Sequence, residues 1–305
     1  MRVGPYDVAV TNLKKVFFPE DALTKGDLIS YYLDVADTML PYMQGRPISM
    51  ERFPEGIRGE GFYQKEIPDY FPDWVDRVSV ELKGDRSQFQ VVCEKAATLV
   101  FLVDQGCITP HTWLSRRERL DYPDKMIFDL DPPGEEFEPV RRAAFLVKEF
   151  ADDLGMPSFV MTTGSHGLHV IIPLDASQEF DAVRTFAEAM AESLASRHAA
   201  GLTTEIRKEK RKGRIFLDTL RNAYGQTSVP PYAVRPRPGA PVATPLSWDE
   251  LHDTSLHART YTLKNIRERL SMKGDPWKEI ARWGISLAPL ADRLREQTGL
   301  SRWTS

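Results

Sequence analysis

The segment "KMIFDLDPPG", Lys125 to Gly134, is the most informative part of the sequence about the fold. Three apolar residues lead into two aspartates one residue apart, and two prolines follow at once. An apolar run bounded by turn residues predicts a buried β-strand over 125–131. Because side chains alternate between the two faces of a strand, Asp129 and Asp131 should project to the same side, about 7 Å apart along the backbone.

Two carboxylates held side by side repel each other, and a divalent cation is the usual remedy. Oxygen ligands suit Mg²⁺ or Mn²⁺, and a pair of such ions can clamp both ends of a phosphoryl transfer. A third carboxylate, Asp218 in "RIFLDTL", also ends an apolar strand. On the first pair alone, exposed aspartates before a Pro-Pro turn are an equal alternative. With Asp218 added, a metal site of Asp129, Asp131 and Asp218 is favoured.

The elements around these strands predict the fold class. Residues 137–154 follow helical spacing with Gly155 as C-cap, and residues 180–198 form a second helix. Between them, "SFVMTTGSHGLHVIIPL" predicts two strands around a Gly-Ser-His-Gly turn, and "TTEI" and "RIFLDTL" predict two further strands. The order strand, helix, hairpin, helix, strand is typical of an α+β fold with a largely antiparallel sheet.

The N-terminal part carries a strong helix signal. "ALTKGDLISYYLDVADTMLPYM" predicts a helix with Thr24 as N-cap, Asp27 completing a capping box and Pro41 ending it. "VSVELK" and "FQVVCE" predict strands. Periodicity does not decide whether "AATLVFLVDQGC" is a short helix or a strand.

Composition restricts the class of protein. A net charge of −4 over 305 residues argues against a binder held by bulk positive charge, but it permits a local basic groove. The two cysteines, Cys93 and Cys107, indicate buried or idle thiols in a reducing compartment. The N-terminus lacks an apolar signal core, and no apolar run approaches the ~18 residues of a membrane helix. We therefore expect a cytoplasmic protein.

Several polar segments suit phosphate groups. The turn in "TTGSHGLHV" offers backbone N–H groups and a hydroxyl, and His169 on the next strand adds a donor. Taken alone, a plain hairpin with a hydrogen-bonded core histidine is the commoner alternative. Arg221, Arg235 and Arg237 lie in a proline-rich loop, and arginine forks suit phosphates. The run 207–214 has six basic residues and one acid, although a solvated turn is an equal alternative.

Two other functions fit parts of the pattern. "IFDLD" also opens the haloacid-dehalogenase phosphatases, in which the first aspartate is a nucleophile and the second a general acid. That motif continues into Gly-Thr near the N-terminus, whereas here Pro132 and Pro133 follow in mid-chain. The other alternative is a non-catalytic binding module that recruits a partner, but such a module has no need of three converging acids.

Four motifs in a fixed order carry a family resemblance: "FDLDPP", "GLHVIIPL", "GRIFLDTLRNAYGQTSVPPYAVRPRPGAPVATPLSWDEL" and "YTLKNIRERL". Through them, from about "TNLKKVFFP" to "GDPWKEI", the sequence resembles the polymerase domain of bacterial DNA ligase D, a branch of the archaeo-eukaryotic primase superfamily. The resemblance implies a primase-type palm within one domain over 1–305. Its parts would be a DNA-end-binding region (about 1–120), a catalytic palm (about 121–245) and C-terminal helices (about 246–305).

The resemblance also implies a role for each candidate residue. The catalytic residues, which would hold two Mn²⁺ or Mg²⁺ ions, are Asp129, Asp131 and Asp218. The nucleotide-binding residues are Thr163, Ser165, His169 and Arg235. The residues that would bind a DNA 5′-phosphate are Asn12, Lys15 and Lys25. We expect free backbone N–H groups at the start of the helix, behind the Thr24 cap, to add to this anion site. The aromatics that would stack on the duplex are Phe62 and Tyr63. Without the resemblance, surface lysines and core aromatics are the favoured interpretations of these last two groups.

The activity that the resemblance implies is template-dependent nucleotide addition, with ribonucleotides preferred, at short gaps or broken DNA ends during repair. The expected partners are DNA with a 5′-phosphate, nucleoside triphosphates, a separate DNA ligase and a Ku-type end-binding protein, and no membrane.

Overall fold

The structure, a computed structural model, describes residues 1–82, 84 and 86–298. Its α-helices are α1 (Lys25–Met43), α2 (Ala96–Asp104), α3 (Glu138–Leu154), α4 (Phe180–Arg197), α5 (Ile266–Lys273) and α6 (Ala291–Thr298). Its first nine strands are β1 (Arg2–Val3), β2 (Tyr6–Asp7), β3 (Val16–Phe18), β4 (Leu23–Thr24), β5 (Ile48–Arg52), β6 (Phe62–Gln64), β7 (Arg77–Leu82), β8 (Arg86–Val91) and β9 (Cys107–Trp113). The others are β10 (Ser115–Arg116), β11 (Arg119–Pro123), β12 (Lys125–Asp131), β13 (Phe159–Thr162), β14 (Leu168–Pro173), β15 (Leu202–Thr203), β16 (Ile215–Asp218), β17 (Thr227–Ser228) and β18 (Thr244–Leu246).

The chain forms two compact units. The first consists of Met1–Glu118, Thr227–Thr244 and Tyr261–Gly274. The second consists of Arg119–Gln226, Pro245–Thr260 and the described residues 275–298.

Helix α1 of the first unit begins as its sequence predicts. The Thr24 hydroxyl accepts a hydrogen bond from the Asp27 N–H at 3.2 Å, and the Asp27 carboxylate accepts one from the Thr24 N–H at 2.7 Å. The predicted end at Pro41 is wrong, because the helix continues to Met43. Pro41 stands in the last turn, where its missing N–H removes a single helical hydrogen bond. Burial of Met39 and Met43 holds that turn in place.

The segment that periodicity left undecided is helix α2, which packs against α1. Its run from Ala97 to Val103 is buried on all sides, which is why no amphipathic period marks it. The "VSVELK" strand is confirmed to Leu82, and its last residue, Lys83, lies outside the described residues. The "FQVVCE" strand ends at Val91, so its predicted extension over 92–94 is wrong. There the Val92 N–H donates to the Asp76 carbonyl.

The two cysteine side chains of the first unit are buried, as predicted. Cys93 and Cys107 are both free and inaccessible. Burial raises the pKa of each thiol well above its usual range, so neither is a reactive thiolate.

The second unit contains a six-stranded sheet of order β15-β16-β12-β14-β13-β18. Strand β12 pairs antiparallel with both β14 and β16, and the pair β15–β16 is parallel. The predicted α+β class with a largely antiparallel sheet is confirmed. The buried strand β12 is thereby fixed from both sides, and the last residue of β16, Asp218, lies opposite Asp129, two residues before the end of β12.

Helices α3 and α4 confirm the predicted helices of this unit to within one residue at either end. Gly155 caps α3 with a φ of 74°, in the left-handed region that favours glycine. The "TTEI" strand is largely wrong, because β15 stops at Thr203. The Thr203 hydroxyl accepts the Glu205 N–H, which turns the chain and leaves Ile206 60% exposed. Among the described helices, none has the length and apolar character needed to span a membrane.

Candidate active site

Three carboxylates converge on one face of the sheet, where β12 and β16 pair. Asp129 of β12 is in register with Asp218 of β16, and Asp131 follows two residues later on the same face of β12. One carboxylate oxygen of each aspartate lies within 4.8 Å of one from each of the others. Sequence alternation and strand pairing thus produce a cluster of hard oxygen donors of the kind that divalent cations prefer.

The charges around Asp129 favour its ionised form. Its Oδ1 atom lies 3.3 Å from Nε2 of His169, and its Oδ2 atom accepts from Nε of Arg221 at 3.5 Å. Burial alone would raise the pKa of Asp129, but the charges and hydrogen bonds of His169 and Arg221 outweigh burial and lower the pKa below its usual value. Asp129 is therefore held as an oriented carboxylate.

The other two carboxylates show the cost of this arrangement. Burial, followed by the charges of Asp129 and Asp218, raises the pKa of Asp131 to about 6. Burial and the charge of Asp129 raise the pKa of Asp218 as well, although the Leu220 N–H donates a hydrogen bond to Oδ1 of Asp218 at 2.7 Å. Mutual repulsion of this kind is what a bound cation would relieve, so the donor set fits one or more divalent ions.

A buried asparagine fixes the strand that carries Asp129. The side chain of Asn222 accepts the Ile127 N–H at 2.8 Å and donates to the Ile127 carbonyl at 2.8 Å, so it pairs with β12 as another strand would. It also donates to the Thr219 carbonyl, just after Asp218. Asn222 is thus a positioning residue that sequence reasoning missed.

The turn between β13 and β14 packs directly on β12. The Thr163 hydroxyl accepts the N–H groups of Ser165 and Gly167 and donates to the Gly167 carbonyl. Gly164 has a φ of 66°, and a Cβ on Gly167 would lie 2.0 Å from the Leu130 carbonyl oxygen. Glycine is therefore required at 167, where the turn meets the strand of the aspartates.

An arginine from a distant part of the sequence holds the same turn. Nε of Arg259 donates to the Ser165 carbonyl at 2.7 Å, and its guanidinium lies 3.6 Å from the Glu135 carboxylate. Nε2 of His166 lies 3.6 Å from the other oxygen of Glu135. These contacts link the turn to the loop that follows the two prolines.

The predicted nucleotide-binding residues fall in both units. Thr163, Ser165 and His169 belong to the second unit with the aspartates. His169 is 3% exposed and contacts Asp129, so its position in the structure is beside the carboxylates. Arg235 belongs to the first unit. There, burial acts to raise the pKa of Glu51, but the hydrogen bond and charge of His111, together with the charge of Arg235, lower it below its usual value.

The basic run 207–214 contains two arginines, Arg211 and Arg214, that are held by hydrogen bonds to backbone carbonyls. Arg211 stacks over the Phe216 ring at 4.0 Å and donates to the carbonyls of Glu205 and Ile206. Its charge acts on Asp131. The lysines of the run and Arg207 are exposed. This segment therefore combines a fixed cation that acts on Asp131 with solvated cations.

The residues predicted to bind a 5′-phosphate lie together at the start of α1. The N–H groups of Lys25 and Gly26 donate to the carbonyls of Lys15 and Leu13, so the loop is tied to the helix. These N–H groups are consequently engaged, contrary to the expectation of free donors at the helix start. Lys15 pairs with the exposed Glu55 at 2.7 Å, and Lys25 forms a buried pair with Asp104 at 2.7 Å. Asn12, beside them, has a φ of 51°.

The predicted stacking aromatics are exposed and not in the core. Phe62 and Tyr63 on the edge strand β6 are 46% and 61% exposed. As neighbours on a strand they project to opposite faces of the sheet. The Arg52 guanidinium lies 5.4 Å from the Phe62 ring centroid, and the Tyr63 ring lies 5.5 Å from that of His111.

Taken together, an antiparallel palm-like sheet with three acidic residues at its strand ends defines a class: enzymes that transfer phosphoryl or nucleotidyl groups with the help of divalent cations. Comparison with known proteins then gives the family. A sequence profile described as "LigD, primase-polymerase domain" matches residues 24–277. The chain belongs to this family, which makes it a primase-type nucleotidyltransferase. The phosphatase alternative is thereby set aside.

Individual relatives agree with the profile. The chain is 32% identical over 278 residues to the bifunctional non-homologous end joining protein LigD of Bacillus subtilis, covering 89% of this chain and 44% of the relative. It is 31% identical to the multifunctional LigD of Pseudomonas aeruginosa, covering 92% of this chain and 34% of the relative. The chain thus spans less than half the length of these relatives.

Among solved structures, the chain is similar to the polymerase domain of Mycobacterium tuberculosis ligase D, determined in complex with DNA. The TM-score is 0.84 at 28% identity, covering 90% of this chain and 98% of that domain. The predicted family and fold are confirmed.

Proposed function

We propose that the protein is a template-dependent polymerase that adds nucleotides, preferably ribonucleotides, at short gaps or broken ends of DNA that carry a 5′-phosphate. The observation that carries this proposal is the convergence of Asp129, Asp131 and Asp218 within 4.8 Å in a chain of the primase-polymerase family. Because relatives of this family are named as end-joining proteins, DNA repair by end joining or related gap filling is the proposed setting.

In this proposal the three aspartates hold two divalent ions, Mn²⁺ or Mg²⁺. The ions would supply positive charge for activating a primer 3′-hydroxyl and for stabilising the departing pyrophosphate. The protein's own contribution is orientation. His169 and Arg221 hold Asp129 ionised, Asn222 fixes its strand, and the Leu220 N–H orients Asp218.

The triphosphate would lie against the Thr163–Gly167 turn. The Thr163 hydroxyl is hydrogen-bonded within the turn, so in this proposal it shapes the turn, while Ser165 and His169 offer polar groups beside it. Arg235 is proposed to add a guanidinium to the phosphates, since a planar fork suits them. The two units would act together as one polymerase domain.

The DNA end would be bound by the first unit, through Asn12, Lys15 and Lys25 for the 5′-phosphate and through Phe62 and Tyr63 for stacking. The exposure of both aromatics supports the stacking role, because an aromatic face accepts any base. A separate DNA ligase and a Ku-type end-binding protein are the proposed partners, because the relatives are named as end-joining proteins.

Extension of a one-nucleotide gap tests the proposal. The substrates differ in the downstream 5′ end, phosphate or hydroxyl, and ribo- and deoxyribonucleotides compete in the presence of Mn²⁺ or Mg²⁺. We expect templated addition, faster on the phosphorylated gap, with ribonucleotides preferred and Mn²⁺ at least as effective as Mg²⁺. Tight binding to DNA ends with no extension under any of these conditions would favour the non-catalytic end-binding alternative.

A further inference from the structure

The buried pair of Lys25 and Asp104 lies within the proposed end-binding site. Their side chains are 4% and 6% exposed. Nζ of Lys25 contacts Asp104 Oδ1 at 2.7 Å, the Asp104 carbonyl at 3.3 Å and the Thr11 hydroxyl at 3.3 Å. An ammonium has three donors, and these three contacts use all of them.

Asp104 also holds the loop beside Lys25. Its Oδ1 atom accepts the Thr11 N–H at 2.7 Å and the Thr11 hydroxyl at 3.3 Å. Thr11 directly precedes Asn12, whose φ of 51° is an uncommon backbone conformation for any residue but glycine. The Oδ2 atom of Asp104 accepts from the Gln105 amide at 3.3 Å. One carboxylate therefore fixes both the lysine and the backbone of the asparagine that are proposed to meet the phosphate.

A phosphate that approaches Lys25 must share this cation with a carboxylate already in contact. The neighbouring charge of Asp104 also repels the phosphate, and the burial of the pair strengthens both effects. Lys15 differs, because its partner Glu55 is 74% exposed in its side chain and is screened by water. The competition is thus concentrated at Lys25.

We propose that Asp104 is a specificity-determining residue of the DNA-end site: it holds Lys25 and the Thr11–Asn12 backbone in place and, as an internal anion, limits the affinity for the phosphate. This inference rests on the proposed 5′-phosphate site. The substitutions Asp104→Asn and Asp104→Ala separate its two roles. Asparagine retains an oxygen that can accept from Lys25 and Thr11 but removes the charge, and the Gln105 amide can rotate to accept from the new NH₂ group. Alanine removes both the accepting oxygen and the charge.

Fluorescence anisotropy on matched gaps with a 5′-phosphate or a 5′-hydroxyl tests the inference. For Asp104→Asn we expect binding to the phosphorylated gap to tighten about tenfold, with a change of less than about threefold on the hydroxyl gap, because a dianion gains more from removal of a neighbouring charge. For Asp104→Ala we expect the ratio of the two affinities to fall towards one. Asp34→Asn, which removes an exposed carboxylate of α1 that pairs with Arg267 of α5, is the control and should change neither affinity.

Thermal melting of each variant, alone and with each DNA, identifies loss of folding. Asp104→Asn should melt lower than the wild type without DNA, because it leaves a buried ammonium without a counter-ion, and the phosphorylated gap should restore more of its melting temperature than the hydroxyl gap. If the wild type binds both gaps equally, the end site itself is refuted and the inference with it. If the wild type prefers the phosphate but folded Asp104→Asn binds it no more tightly, the inference alone is refuted.

Discussion

Asp129 and Asp218 face each other directly across the β12–β16 pair, and their residues are only 7% and 8% exposed. Like charges directly opposite each other destabilise a sheet, and burial strengthens their repulsion. His169 and Arg221 offset the charge of Asp129, but Asp131 adds a third carboxylate. The arrangement is costly for the fold and suited to binding cations.

The first prediction concerns catalysis. Asp129→Asn, Asp131→Asn and Asp218→Asn should each reduce the rate of nucleotide addition by on the order of 10³-fold or more, because each removes a carboxylate proposed to hold an ion. DNA affinity should change little, since the triad lies outside the proposed end-binding site. Primer extension and anisotropy measure the two quantities, with Asp181→Asn on the exposed start of α4 as control. Substantial extension by one of the three variants would remove that aspartate from the site.

The second prediction concerns stability and pH. The pKa of Asp131 in the folded state is about 6, above its value of about 4 in an unfolded chain. The folded state therefore binds the proton more tightly, and this aspartate lowers stability as the pH rises from about 4 to about 6. With EDTA present, Asp131→Asn should stabilise the protein by about 1–2 kcal/mol at pH 7.5, after allowance for partial exposure, and by almost nothing at pH 4.

Urea unfolding at the two pH values measures this difference. Mn²⁺ should raise the melting temperature of the wild type more than that of Asp131→Asn, because an ion that binds only the folded state stabilises it. A variant that is less stable than the wild type at pH 7.5 in EDTA would show that repulsion among the carboxylates is not the dominant effect.

The third prediction concerns the strand of Asp129. Asn222→Ala should lower the free energy of unfolding by about 2–4 kcal/mol, because it leaves the N–H and carbonyl of Ile127 buried without these hydrogen bonds. Nucleotide addition should fall as well, since β12 loses its fixed position. Asn265→Ala, at an asparagine that caps a turn through a bond to the Thr262 N–H, should cost about 1 kcal/mol or less. Equal losses for the two variants would contradict a special role for Asn222.

The sequence was informative where local patterns decide the structure. An apolar run before "DLD" predicted strand β12, and alternation placed Asp129 and Asp131 on one face. The capping box at Thr24 depends on residues three apart and was correct. The family motifs then supplied roles that composition alone does not reveal.

The contacts that position the site were beyond sequence reasoning, because they join residues distant along the chain. Asn222 reaches Ile127 across 95 positions, Arg259 reaches Ser165 across 94, and Asp104 reaches Lys25 across 79. None of these contacts follows from a pattern of residues that are close together in the sequence. Similarly, the prediction of free N–H groups at the start of α1 was wrong, because their acceptors, the carbonyls of Leu13 and Lys15, belong to the preceding loop and no local pattern identifies them.

The last prediction concerns recognition of the DNA end. An acidic protein cannot hold DNA by a general positive field, so it should depend on a few well-placed cations. The double change Lys15→Ala, Lys25→Ala should weaken binding to a 5′-phosphorylated gap by about 2–4 kcal/mol, from about 1.5–3 kcal/mol per charged hydrogen bond less some compensation. Binding to the hydroxyl gap should hardly change, because a terminal phosphate carries more charge than an internal diester.

The structure makes the two lysines unequal, which sharpens this test. Lys25→Ala leaves Asp104 as a buried carboxylate without its cation and should lower the stability of the fold. Lys15→Ala removes only an ion pair with the exposed Glu55. Lys15→Ala is therefore the variant that reports on binding without loss of folding, and its effect should be roughly half that of the double change. Lys14→Ala, an equal change of charge at the exposed neighbour, is the matched control and should weaken both gaps slightly and equally. If Lys15→Ala also weakens the two gaps equally, this lysine contributes general attraction to the backbone and does not read the end.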